Sequence, residues 1–215
     1  MAPSNSRWIP FLLSALLLTG CDVVDAGSPT TGGSDDTGSS GSGNASAQLA
    51  ELKVAAEGKM TGYSREKFPH WKSTGKNCDV RDSVLERDGT DVKTEGCNVV
   101  SGTFTSFYDG KTLDSPTKVD IDHTVPLANA WRSGADKWTT DQREDFANDL
   151  DRPQLLAVSA SSNRSKGDQD PSTWKPPSQD AWCDYATDWI TVKNFYELTV
   201  TEKEKGALAY MLETC

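Results

Sequence analysis

Histidine is scarce in this 215-residue chain. Only His70 and His123 occur, so a His-rich metal centre is excluded and at most two imidazoles are available for acid–base work. Long apolar runs are lacking too. The longest, residues 8–18, is too short to cross a bilayer as a mature helix, and behind the lone charge of Arg7 it has the make-up of an export signal. Positive charge is in deficit, with a net charge of −10. Four acids and Arg7 precede Gln48, and the remainder still carries 28 acidic against 21 basic residues. That balance argues against tight, sequence-specific DNA binding, because phosphate affinity comes mainly from Lys and Arg releasing counterions. It leaves room for an enzyme that handles phosphate with a local basic patch and a divalent cation. Cys-x-x-Cys pairs, internal repeats and heptads are all missing, which removes the usual sequence marks of zinc sites, solenoids and coiled coils.

What is present divides the chain in three. Residues 1–20 read as a lipoprotein-type signal peptide, because Leu18-Thr19-Gly20-Cys21 resembles a bacterial lipobox that would leave Cys21 lipidated and the protein anchored to the membrane. Residues 21–47 are almost entirely Gly, Ser, Thr, Asp and Asn; so few apolar groups cannot bury a core, and a flexible tether is expected. Residues 48–215 suit one globular domain. Its four cysteines, an even number in an exported domain, predict disulfides. Cys78–Cys97 with Cys183–Cys215 is the preferred pairing, since each closes a loop within one local module.

Element signals are mixed. Residues 46–57 have helical spacing (Leu49, Leu52, Val54, Ala56). Residues 98–107 alternate and carry Val, Thr and Phe. With Asp109-Gly110 as a turn they predict antiparallel pairing to residues 117–125. Thr139 and Gln142 match a capping box for a helix with Phe146 and Leu150 on one face, and residues 154–158 form a short apolar strand. Two helices are expected at the end, over residues 179–196 and 201–215. Thr201 and Glu204 cap the second, and Leu208, Met211, Leu212 and Cys215 lie on its buried face. Trp131, Trp138, Trp174, Trp182 and Trp189 could stack on bases, but mostly suit a core.

Two stretches carry chemistry. Asp120-Ile-Asp-His123-Thr-Val-Pro126 puts hard oxygen ligands beside an imidazole, and Asn163-Arg-Ser-Lys166-Gly-Asp168 supplies an amide oxygen near a helix start with two cations. An imidazole with a pKa near the working pH suits a general base. His70 has no acidic neighbours and reads as structural.

Both stretches resemble the HNH endonuclease family, whose pattern is Asp-His-x-x-Pro, a middle Asn, and a closing Asn-Arg-x-Lys. The wider match, over roughly residues 63–215, is to a secreted bacterial branch related to the C-terminal domain of GmrSD-type restriction enzymes. The resemblance implies an α+β fold: a ββα-metal finger embedded in a mainly helical domain with two disulfides. It implies His123 as general base, Asp122 and Asn163 as metal ligands, Asp120 as a supporting residue, and Arg164 and Lys166 as phosphate contacts. Gln154 stands where the family has its middle Asn, and could brace the catalytic loop from a longer stem. The cofactor implied is a divalent cation, magnesium first and manganese second. The activity implied is endonucleolytic cleavage of DNA, RNA being a second substrate, by a monomer with little sequence specificity. A second reading is a non-catalytic cell-envelope lipoprotein whose finger is a relic that holds a ligand. The acidic balance favours it; the joint presence of Asp122, His123 and Asn163 opposes it.

Overall fold

A computed structural model describes residues 39–215. The export segment, Cys21 and most of the expected tether lie outside the described residues. Helix α1 (Ser39–Glu51) begins within the stretch expected as tether and ends before Val54, so the helical spacing predicted over 46–57 holds only in its first half. Ala45 and Leu49 are buried from it and Leu52 just after it, whereas Val54 forms an isolated parallel bridge with Val200.

A small disulfide-clamped module follows: strands β1 (Ser73–Gly75) and β2 (Cys78–Asp79), helix α2 (Val80–Asp88), and strands β3 (Gly89–Glu95), β4 (Asn98–Thr105) and β5 (Thr112–Leu113). Helix α2 starts where it does because the Asp79 carboxylate accepts from the Arg81 and Asp82 amides while Asp82 reaches back to the Asp79 amide. Cys78–Cys97 staples this start to the β3–β4 turn, with Cα atoms 5.7 Å apart. The predicted turn at Asp109-Gly110 is present, with Gly110 at φ +66° and its amide bonded to Ser106 O at 2.8 Å. The partner strand differs from the prediction. Beyond that turn β4 pairs with the two-residue β5, and its other edge takes β3, which the polar sequence Gly-Thr-Asp-Val-Lys-Thr-Glu did not announce.

Residues 119–123, expected to close that hairpin, instead form β6 (Val119–His123). After α3 (Leu127–Arg132) and α4 (Thr140–Ala147), β6 pairs antiparallel with β7 (Leu155–Ser159). Asp122 is opposite Leu156 and His123 opposite Leu155. The Thr139–Gln142 capping box starts α4 as predicted, and Phe146 is buried, but Leu150 lies beyond the helix and is exposed. Helix α5 (Ala160–Lys166) follows β7 directly, and α6 (Trp182–Phe195) and α7 (Glu202–Leu212) close the chain.

The β6–β7 pair lies between two apolar clusters, which is why every residue of β7 is buried. Val119, Ile121, Leu155 and Ala157 face a small core with α2 and Phe104, whereas Leu156 and Val158 face the larger core of Tyr108, Trp131, Trp174, Trp189 and α6. The tryptophans are core, as expected: Trp131, Trp174 and Trp189 are buried, and Trp138 and Trp182 pack against the same cluster. The second predicted disulfide, Cys183–Cys215, joins α6 to the residues after α7, with Cα atoms 5.1 Å apart. Cys215 lies past the helix and is exposed, not on the buried face as expected. Closing loops of these lengths stabilises the folded state by about 2–4 kcal/mol per bridge in the chain-entropy model. The described residues thus form a mixed α/β domain of seven α-helices and small sheets held by two disulfides.

Asp188 on α6 makes this fold pH-sensitive. Burial first, and then the neighbouring Asp184 carboxylate, push its carboxyl up to about 7, against the attraction of Arg87. Between the unfolded carboxyl value and that value the folded state holds a proton the unfolded chain has lost. The contribution of Asp188 to stability is therefore full in acid and lost as pH rises through about 7. Asp188→Asn should stabilise the protein by about 2 kcal/mol at about pH 8 and by almost nothing at about pH 4. Urea melts of both proteins at the two pH values check this; a gain that does not grow with pH sinks the assignment.

Candidate active site

Strand β6 delivers Asp120, Asp122 and His123, and its alternation turns the last two to opposite faces. The His123 ring goes toward the 58–73 segment, 6.5 Å from His70 and 6.1 Å from Trp71 between ring centres. Its Nε2 is 2.9 Å from the Ala147 carbonyl oxygen, which can only accept. Nε2 therefore carries the proton, and in the neutral ring Nδ1 keeps the lone pair. Burial, aided by the charges of Arg65, His70 and Lys166, pushes the imidazole down to about 3 against the opposing Ala147 bond. An imidazole titrating near neutrality was expected; burial instead keeps His123 neutral, with a fixed tautomer, across the physiological range.

Asp122 is held on one oxygen. Its Oδ2 accepts from the Tyr108 hydroxyl at 2.7 Å and from Lys166 Nζ at 2.6 Å, and Lys166 also donates to the His123 carbonyl at 2.9 Å. Burial pushes the Tyr108 phenol well above its ordinary value, so it remains a donor. Lys166 is fully buried, and burial lowers its pKa although Asp122 pulls the other way. This corrects the expectation that Lys166 contacts phosphate: its ammonium is enclosed and neutralises Asp122. Arg164, the other expected contact, is exposed and forms no salt bridge among the described residues.

Asn163 sits in the middle of α5, whose N-cap is Ser159, its hydroxyl accepting from the Ser162 amide. Its Nδ2 donates to Asp120 Oδ2 at 3.0 Å, which turns the amide and leaves its carbonyl oxygen for another partner. Gln154, at the position of the family's middle Asn and expected to brace the catalytic loop, does not line the cavity. Fully buried, it clasps Val125 by accepting from the amide at 3.1 Å and donating to the carbonyl at 2.9 Å, while its own carbonyl takes the Thr124 amide. It braces the turn after His123 and is a positioning residue.

Asp122, His123 and Asn163 line one cavity of about 270 Å³, with Tyr63, Arg65 and Asp168 on its other walls. A larger cavity of about 780 Å³, between the 53–58 segment and the end of α6, holds none of these groups, so size does not mark the site.

Residues 77–211 match the GmrSD restriction endonucleases, C-terminal domain. The chain belongs to this family. It is also 54% identical over 168 residues to an "Uncharacterized secreted protein" of Arthroderma benhamiae (strain ATCC MYA-4681 / CBS 112371), an alignment covering 78% of this chain and 82% of that one. No solved structure matches. The GmrSD C-terminal match encloses Asp122, His123, Gln154, Asn163 and Lys166, and makes the domain nuclease-related.

An endonuclease-like domain of this family would suggest a divalent cation. Among the described residues, Asp122 Oδ1 and the Asn163 side-chain carbonyl oxygen make no hydrogen bond, and hard oxygens of this kind are the donor type a small, largely hydrated divalent ion takes. No group of three or more His, Cys, Asp or Glu side chains is placed to hold a metal among the described residues. Sequence reasoning missed Tyr108, Tyr63 and Arg65. Tyr108 adjoined the recognised Asp109-Gly110 turn, which was a usable signal; Arg65, 58 residues before His123 and outside the matched domain, offered none.

Proposed function

We propose that this protein is an exported, divalent-metal-dependent endonuclease that hydrolyses phosphodiester bonds of DNA, with RNA as a second substrate. The observation that carries the reading is the convergence of His123, Asp122 and Asn163 on one cavity, with the His123 proton fixed on Nε2. The order β6, β7, α5 supports a ββα-metal finger interrupted by α3 and α4. In this mechanism His123 Nδ1 takes the proton of a water positioned in line with the phosphorus. Asp122 Oδ1 and the Asn163 side-chain carbonyl would hold the cation, magnesium or manganese. When bound, that ion supplies positive charge to the phosphoryl oxygens and to the leaving 3′ oxygen. Tyr108 and Lys166 keep Asp122 on one rotamer, Asp120 does the same for Asn163, and Gln154 holds the turn that carries His123. Products then carry 5′-phosphate and 3′-hydroxyl ends. Arg164, exposed beside Asn163, is a phosphate contact at the rim in this reading.

Export is supported by the 8–18 apolar run, the two disulfides and the secreted relative. Anchoring through Cys21 rests on the Leu18-Thr19-Gly20-Cys21 pattern alone. One observation favours the second reading, a non-catalytic binding module: Lys166 already neutralises Asp122 and lowers the attraction of the site for a cation. Incubation of the disulfide-bonded protein with supercoiled plasmid and with RNA separates the two readings. Nicked plasmid is expected with magnesium or manganese and none with EDTA; folded protein that leaves both substrates intact with either ion sinks the endonuclease reading.

A further inference from the structure

The 58–73 segment, upstream of the matched domain, forms one wall of the cavity. It is firmly seated. Phe68 is fully buried, the Lys67 carbonyl accepts from Arg143 Nε at 2.9 Å, and the Pro69 carbonyl accepts from Asn148 Nδ2 at 2.7 Å. Tyr63 packs edge-on against Trp131, 5.9 Å between ring centres, and Trp71 holds a left-handed backbone, φ +61°, beside His123. A side chain held off its preferred backbone region next to a catalytic group marks a segment placed for function more than for ease of folding.

This rigid wall presents Arg65 to the cavity. The carboxylates on the opposite walls are each compensated, Asp122 by Lys166 at 2.6 Å and Asp168 by Arg132 at 2.7 Å. Arg65 is exposed and forms no salt bridge among the described residues, which leaves an uncompensated positive charge on the cavity wall. A buried Lys166 cannot meet a substrate phosphate; a planar guanidinium at the cavity mouth can take two of its oxygens at once. The same placement resolves the conflict between the acidic balance of the chain and a polyanionic substrate, because the positive field is local.

We propose that Arg65 is a phosphate-binding residue of this cavity, taking the non-bridging oxygens of a nucleic-acid backbone, and that the 58–73 segment completes a site the matched domain leaves open. The proposal rests on the nuclease reading for its substrate class, and its test is a binding measurement that needs no turnover. Fluorescence anisotropy with a short labelled DNA duplex in EDTA compares the wild type with Arg65→Gln, Arg65→Lys and Lys67→Gln over a range of salt. Arg65→Gln should weaken binding about tenfold at low salt and reduce the slope of log K against log salt by about 0.9, as for one lost phosphate contact. Arg65→Lys should keep most of the slope while losing part of the affinity. Lys67→Gln, which removes the same charge from a side chain set against Trp131 and off the cavity wall, should change little. Unchanged affinity and slope in Arg65→Gln, an equal loss in Lys67→Gln, or a wild type that binds no duplex at low salt each overturns the proposal. Plasmid nicking by the wild type, scored separately, judges the nuclease reading: nicking with no Arg65 effect on binding rejects only this inference, and Arg65-dependent binding without nicking rejects only that reading.

Discussion

His123→Ala is expected to lower plasmid nicking by about 10²–10⁴-fold, the usual worth of a positioned general base. The geometry makes this a sharp test, because Nε2 is committed to the Ala147 carbonyl and only Nδ1 remains to accept a proton. Burial keeps the ring neutral, so the wild type has its base in the competent form throughout the neutral range. The variant also leaves the Ala147 carbonyl without its donor and a void beside His70 and Trp71, which costs about 1–3 kcal/mol of stability. Activity is therefore compared well below the melting temperature of the variant. Added imidazole supplies a readout that destabilisation cannot mimic: partial recovery of nicking is expected when a free base diffuses into the vacated space. Near-normal nicking by the folded variant would remove His123 from the mechanism.

How much of this was legible in the sequence follows the range of the interactions concerned. Local chemistry was readable. The Thr139–Gln142 and Thr201–Glu204 capping boxes close within one turn, and both disulfides join cysteines of one module. In the Asp120–His123 run alternation turns Asp122 away from His123 but leaves Asp120 on the same side as Asp122, and only the family resemblance chose between the two carboxylates. Pairings across long loops were not readable. The turn at Asp109-Gly110 suggested 117–125 as the return strand, yet β6 pairs with β7 beyond two intervening helices. Hairpin signals report the nearest strand and carry no information about a later one that buries more apolar surface. The burial of Lys166 was hidden for a related reason. A lysine in a polar helix reads as solvated until Asp122 and the Tyr108 hydroxyl, 44 and 58 residues upstream, are known to enclose it. Gln154 shows the reverse case: a departure from the family pattern whose hydrogen-bonding inventory already contained the clasp it makes.

The largest effect after the loss of the base is expected at the cation site, and the structure dictates which substitution tests it. Asp122→Ala is a poor choice, because it strands the buried Lys166 ammonium, and breaking such a pair costs about 3–5 kcal/mol. Asp122→Asn also removes the counter-charge of Lys166, but it keeps an acceptor for Tyr108 and Lys166 and so costs less stability, while removing the charge that would hold a divalent ion. It should lower nicking at least about 10²-fold at limiting magnesium, part of it recovered as the ion is raised. Asn163→Ala should act in the same direction through loss of the second oxygen, and EDTA should silence the wild type. Asp120→Ala should do less, about tenfold, because Asp120 acts through the 3.0 Å bond that orients Asn163. The ion concentration for half-maximal nicking, titrated for each protein, separates these roles, since a merely destabilised variant loses activity without a shift in that concentration. If Asp120→Ala moves the half-maximal concentration further than Asn163→Ala or Asp122→Asn, then Asp120 is the ligand and Asp122 is a structural carboxylate bound to Lys166.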